Sequence, residues 1–191
     1  MRKFAVLTDS ACDIPAEMQK KYNIDILSFT ITVDGKSYVE RVDFTNEQYY
    51  DMLTKCTDIP KTSQITMMRF EEQFEAYLAA GIEDVLYVSI NSGGSNTHSA
   101  ALMARQNFLE AHPGCPMHIT IVDSHTYSMP FGWYLCECAR KVRNGGELAT
   151  CVDEMMHKLD CVEICLAAYS LKQMKKSGRV SAAAAVVGDL L

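Results

Sequence analysis

At 191 residues, with 48% hydrophobic, 22% charged and 9% aromatic side chains, the chain has enough apolar material for a packed core. That excludes wholesale disorder, collagen-like repeats and a disulfide-stapled miniprotein. Eighteen Lys and Arg against 24 Asp and Glu leave a formal charge of −6, so no electropositive surface suits a nucleic acid backbone, and the expected ligand is a small molecule or a protein.

The opening MRKFAVLTDSACD has too short an apolar run for a signal peptide, and no later segment reaches the roughly 18 apolar residues of a membrane span. No stable membrane insertion is expected, and the cytoplasm is the expected compartment. Phe4 to Leu7 reads as a strand leading into TDSACDIP, with Asp13 capping a helix that opens at Pro15. Ile24 to Val33 reads as a strand that turns at Asp34-Gly35 into Ser37 to Val39, a short hairpin. Thr45 with Gln48 forms a capping box for a helix to about Lys55, and CTDIPKTSQIT follows as a loop.

Phe70, Phe74 and Leu78 recur every four residues and stop at Gly81, the pattern of an amphipathic helix with a glycine exit. Val85 to Ile90 is a buried strand, NSGGSN a loop, Thr97 to Glu110 a helix and Met117 to Val122 another strand. DSHTYSMPFG leads to a helix ending at Asn144-Gly145-Gly146, and Glu147 to Leu159 is one more. Val162 to Ala167 reads as a strand and Leu171 to Lys176 as a short helix. The alternation predicts an α/β fold, a mostly parallel sheet flanked by helices. The expected organisation is an N-terminal domain over 1–160 and, over 161–191, the start of a second α/β domain truncated at the C-terminus.

The eight cysteines show no metal-ligand spacing: Cys136 and Cys138 leave opposite sides of a helix, while Cys161 and Cys165 merely share one face. They read as reduced, mostly buried small hydrophobes, and neither a metal nor a cofactor is expected.

Three loops, TDSACD, NSGGSNTHS and DSHTYS, concentrate Ser, Thr and Asp after the strands ending at Leu7, Ile90 and Val122, and KTSQIT is a fourth of the same kind. In a parallel sheet the first three share the carboxyl edge, where open α/β sheets bind ligands. Hydroxyls and helix-start N–H groups there donate well, which suits an anion, although the same residues also serve as helix caps and turn formers. The loops lack the Lys and Arg that phosphates recruit, Lys61 beside the fourth excepted, so a carboxylic acid is the better match. An enzyme, either a small-molecule kinase or a serine hydrolase using this edge, is the alternative. Asp123, Ser124 and His125 are consecutive and cannot form a triad among themselves, and Gly93-Gly94-Ser95-Asn96-Thr97 breaks the nucleophile-elbow pattern.

Together, TDSACDIP, the Pro60-Lys61-Thr62-Ser63-Gln64 run, SINSGGSNTHSA, Val122-Asp123-Ser124 followed by Ser128 and Gly132, and SGRVS at 177–181 resemble the DegV family over almost the whole chain. The resemblance implies a fatty-acid-binding protein that is not itself an enzyme. It would hold a long-chain acid in an apolar tunnel between two α/β domains and present the carboxylate to a fatty acid kinase. By position it assigns carboxylate binding to Thr62, Ser63, Ser92, Gly93 and Ser95. Asp9, Ser10, Asp123 and Ser124 would support the pocket, and Arg179 would face the carboxylate or the kinase.

Where the family reads Ser-Ser-Gly-Leu-Ser-Gly-Thr, this chain has Asn91, Gly94 and Asn96 at the first, fourth and sixth positions. Glycine in place of leucine implies a lost apolar wall. A tail of roughly 15 methylenes contributes on the order of 12 kcal/mol before association costs, so the tail supplies affinity and the hydroxyls supply orientation. An apolar lining left uncovered by an incomplete second domain implies dimerisation or poor solubility.

Overall fold

The computed structural model describes residues 3–165. Its main sheet holds four parallel strands in the order β2-β1-β6-β7: β1 (Phe4–Asp9), β2 (Ile24–Leu27), β6 (Asp84–Ser89) and β7 (His118–Asp123). Successive residues of a strand face opposite sides, and both sides here are apolar. Ala5, Leu7, Val85, Tyr87 and Ile119 pack beneath α3 (Met67–Ala79) and α4 (Thr97–Ala111), with Phe70, Phe74 and Phe108 filling that layer. Val6, Leu86, Val88 and Val122 face α5 (Met129–Arg143) and α6 (Leu148–Leu159), with Phe131, Leu135 and Met155. The helix α1 (Ala16–Tyr22) follows a short 3-10 turn at Ser10–Cys12. This is the expected α/β architecture.

Contacts divide the chain into two units: residues up to Phe29 together with Gln64–Glu163, and a second that includes Thr30–Ser63. Within the second, β3 (Thr30–Val33) pairs antiparallel with both β4 (Lys36–Val39) and β5 (Lys61–Ser63). The helix α2 (Asn46–Lys55) carries the expected capping box, Thr45 Oγ1 accepting from the Gln48 N–H and Gln48 Oε1 from the Thr45 N–H. Ile31, Val33 and Phe44 form its small core. The Asp34-Gly35 turn has positive φ at both residues, 46° and 80°, the geometry of a tight hairpin turn. The Asp34 carboxylate also accepts from the Thr57 and Asp58 N–H groups and from the Thr57 hydroxyl, and these bonds lower its pKa.

Several expectations are corrected. Ile24 to Val33 is two strands in two sheets, broken at Ser28-Phe29, where the Phe29 N–H donates to Ser10 Oγ at 3.0 Å instead of to a ladder. Lys61 to Ser63 is a strand, because β3 offers it a pairing edge. Asp13 does not cap α1: it sits at φ 49° after the 3-10 turn, and Pro15 precedes the helix without a side-chain cap. Val162 to Cys165 forms no strand. The expected strand end at 166–167, the helix at 171–176 and Arg179 lie outside the described residues.

Candidate functional site

Because β1, β6 and β7 run parallel and adjacent, the segments after Asp9, Ser89 and Asp123 emerge together at one edge. Two carboxylates bind them into one unit. Asp9, fully buried, accepts from the Ile90 N–H at 2.8 Å, from Tyr87 Oη at 3.2 Å and from the Ala11 N–H at 3.2 Å, so it ties its own turn to the end of β6. Asp123 accepts from the Ser92 N–H at 3.1 Å and the His125 N–H at 3.0 Å, tying β7 to the NSGGSN loop. Asn91 completes the junction: its N–H donates to Thr126 O and its side-chain amide to His125 O, each at 3.0 Å.

The electrostatics follow from these contacts. Burial works to raise the pKa of Asp123. The Ser92 hydroxyl, the His125 and Ser92 amides and the His125 ring together outweigh it, and the carboxyl sits below its ordinary value. His98 is lowered by desolvation, which outweighs the attraction of Asp123. Burial pushes the phenol of Tyr87 well above its ordinary value, with Asp9 adding to the effect, so it remains a donor. Burial likewise raises Cys136 and Cys138 to about 12, as expected of inert core thiols. Four of the eight cysteines, Cys12, Cys136, Cys138 and Cys151, are buried.

Among the expected site residues, Asp9, Ser10, Ser92, Gly93, Ser95, Asp123 and Ser124 all lie on this edge. Ser10 and Ser124 are buried and serve the backbone: Ser10 Oγ holds Phe29, and Ser124 Oγ donates to Thr126 O and accepts from its N–H. Ser92 and Gly93 are exposed. The Gly93 N–H donates to Asn91 Oδ1 at 2.8 Å, and Ser95 Oγ lies 2.8 Å from Thr97 Oγ1 and accepts from the Thr97 N–H. Thr62 and Ser63 belong to the second unit, exposed on β5 opposite Ile31 and Thr30. Most amides of the edge therefore already have acceptors within the protein, whereas the sequence suggested open helix-start N–H groups. An acidic side chain that recruits neighbouring amides leaves no mark in a linear pattern.

Two features went unread in the sequence. Ser89 Oγ lies 3.0 Å from His98 Nδ1, a serine–histidine pair, but Ser89 is completely buried and also bonds Val122 O at 3.3 Å, so it joins β6 to α4 and β7 and is closed to a substrate. Gly94 leaves no gap either. A Cβ there would lie 2.6 Å from Tyr127 Oη and 3.0 Å from its Cε1, so the tyrosine ring already covers the position. His125 and Ser128, flanking this tyrosine, hold φ of 52° and 61°, strained values for non-glycine residues. A cleft of about 330 Å³ lined by Phe4, Asp84, Arg143 and Leu148 lies at the other end of the strands, away from these loops. Among the described residues no group of three or more His, Cys, Asp or Glu could hold a metal ion, and no helix is long and apolar enough to cross a membrane.

Comparison with known proteins agrees with this architecture. A DegV domain-containing protein of Clostridium perfringens is 34% identical over 196 residues, covering all of this chain, which spans 65% of that relative's length. A fatty acid binding DegV family protein from Streptococcus agalactiae is 26% identical with a TM-score of 0.82, covering 100% of this chain and 65% of its own. The fatty acid kinase B3 protein of Streptococcus pneumoniae, solved with linoleic acid, shares the fold at 19% identity and a TM-score of 0.68, over 83% of this chain and 54% of its own. The model of the DegV family, itself described as uncharacterised, matches residues 3–191. With a parallel sheet whose motif loops meet at one edge, and a family match over nearly its full length, this chain belongs to the DegV family.

Proposed function

We propose that this chain binds a long-chain fatty acid, holds its carboxylate with uncharged donors and presents it to a fatty acid kinase in the cytoplasm, without catalysing a reaction itself. The observation that carries the reading is the exposed Ser92-Gly93 step, fixed at the meeting point of three strand ends by Asp9, Asp123 and Asn91. The solved Streptococcus agalactiae relative is a fatty acid binding protein, which supports the ligand class. The pneumococcal fatty acid kinase protein supports the partner only through a shared fold.

In this reading Ser92, Gly93 and Ser95 engage the head group, and Thr62 and Ser63 are assigned to it by their motif. Ligand oxygen replaces Asn91 Oδ1 on the Gly93 N–H, so one acceptor is exchanged for another and the net gain per bond is about 1 kcal/mol. Affinity then comes from the apolar tail. Residues 161–191 are assigned to the start of a second α/β domain.

Denaturing extraction of the purified protein followed by mass spectrometry of the released lipid tests the reading. A stoichiometric long-chain acid is expected. A lipid-free protein that also fails to bind added acids in calorimetry overturns it.

A further inference from the structure

Tyr127 is held over the NSGGSN loop from both sides. The carbonyls of His125 and Thr126 just before it accept from Asn91, and Ser128 just after it donates to Asp13 Oδ2 at 2.6 Å. With the backbone fixed, the ring lies on Gly94, where a Cβ would meet Oη at 2.6 Å, Cε1 at 3.0 Å and Cζ at 3.2 Å. Only a residue without a side chain accepts the ring in this position. Tyr127 nevertheless stays 40% exposed, so part of the side chain is open beside the Ser92-Gly93 step. A tyrosine offers a broad apolar face with a polar tip, the chemistry required where a charged head group gives way to a hydrocarbon chain.

We propose that Tyr127 is a specificity-determining residue for the acyl ligand, its ring forming the apolar wall beside the head-group donors, and that Gly94 exists to seat it. This rests on the fatty-acid reading above. Chain length and bulk near the carboxylate are sorted by the ring, whereas the donors treat all carboxylic acids alike.

The test uses the 191-residue chain and competition between a fluorescent fatty acid and a panel of saturated and branched acids. Tyr127→Ala removes the wall. Gly94→Ala displaces the ring by contact with its far end, which can swing aside without disturbing the sheet. Both variants are expected to shift the ranking of the panel in the same direction, by about tenfold or more between the most affected acids, the range one change in an apolar pocket produces. Tyr127→Phe, which keeps the ring, is expected to retain the wild-type ranking.

A folded Tyr127→Ala with the wild-type ranking overturns the proposal. Should that variant fail to fold, a folded Gly94→Ala with the wild-type ranking does the same. Wild-type protein that binds none of the acids fails the underlying reading itself, a result separate from an unchanged ranking among bound acids.

Discussion

The Tyr87 hydroxyl donates to Asp9 across the two central strands at 3.2 Å, and neither side chain has any exposure to solvent. A buried carboxylate needs every donor it has, so Tyr87→Phe, which preserves volume, is expected to cost about 1–3 kcal/mol. Urea denaturation followed by circular dichroism measures this. A loss below about 0.5 kcal/mol would mean that Asp9 is satisfied without the phenol.

Gly132 is the second position where local geometry leaves one choice. A Cβ there would lie 2.3 Å from the Cys12 carbonyl oxygen and 2.8 Å from Ile14 Cγ1, both in the segment against which α5 begins. The nearest obstacle is backbone and cannot swing away, so Gly132→Ala is expected to cost about 3 kcal/mol, at the upper end of overpacking effects. Thermal unfolding should show a clear drop in Tm, and an unchanged Tm would refute the close approach.

Stability should also depend on pH through His98 and Asp123, both lowered in the folded state. For a depressed pKa the folded state binds fewer protons than the unfolded one, so the contribution is complete above the unfolded value. It is lost as pH falls through the folded value. For His98 that loss begins below about pH 6.5 and for Asp123 below about pH 3.8, their ordinary values. His98→Gln is expected to flatten the Tm profile in the upper window and leave the lower one unchanged, which differential scanning calorimetry across pH resolves.

Ser92→Ala removes the hydroxyl that bonds Asp123 and that the fatty-acid reading assigns to the ligand. Affinity for a long-chain acid should fall by about 1–3 kcal/mol, the value of a hydrogen bond to a charged group. Isothermal calorimetry of Ser92→Ala and Thr62→Ala checks it, and unchanged affinity in both removes these residues from the head-group assignment.

The alternation of Val85 to Ile90 and Met117 to Val122 with helical segments made the parallel sheet legible, because strands buried on both faces are continuously apolar. The Thr45–Gln48 capping box and the Asp34-Gly35 turn were equally legible, since each is decided within four residues. What escaped was decided at long range. Ile24 to Val33 carries no local signal for its division between two sheets, because the break depends on Ser10 accepting from Phe29, 19 residues away. The short β5 is a strand only because β3 presents an edge to it. The meeting of the Asp9, Ser89 and Asp123 loops followed from topology, but the way Asp9 and Asp123 use the surrounding amides, and the seat that Gly94 gives Tyr127, depend on side-chain directions that spacing does not encode.

The chain leaves the four-stranded ladder at Leu27, and beyond Thr30–Ser63 the Ile65 N–H is met by Thr97 Oγ1 at 3.4 Å, as that of Phe29 is by Ser10. Both junctions are thus anchored by hydroxyls, that of Ser10 in the 3-10 turn after β1 and that of Thr97 at the start of α4, and no rung of the parallel ladder draws on Thr30–Ser63. Lengthening, shortening or exchanging that excursion therefore leaves the scaffold's own pairing untouched, so this segment can be diversified while the sheet stays constant.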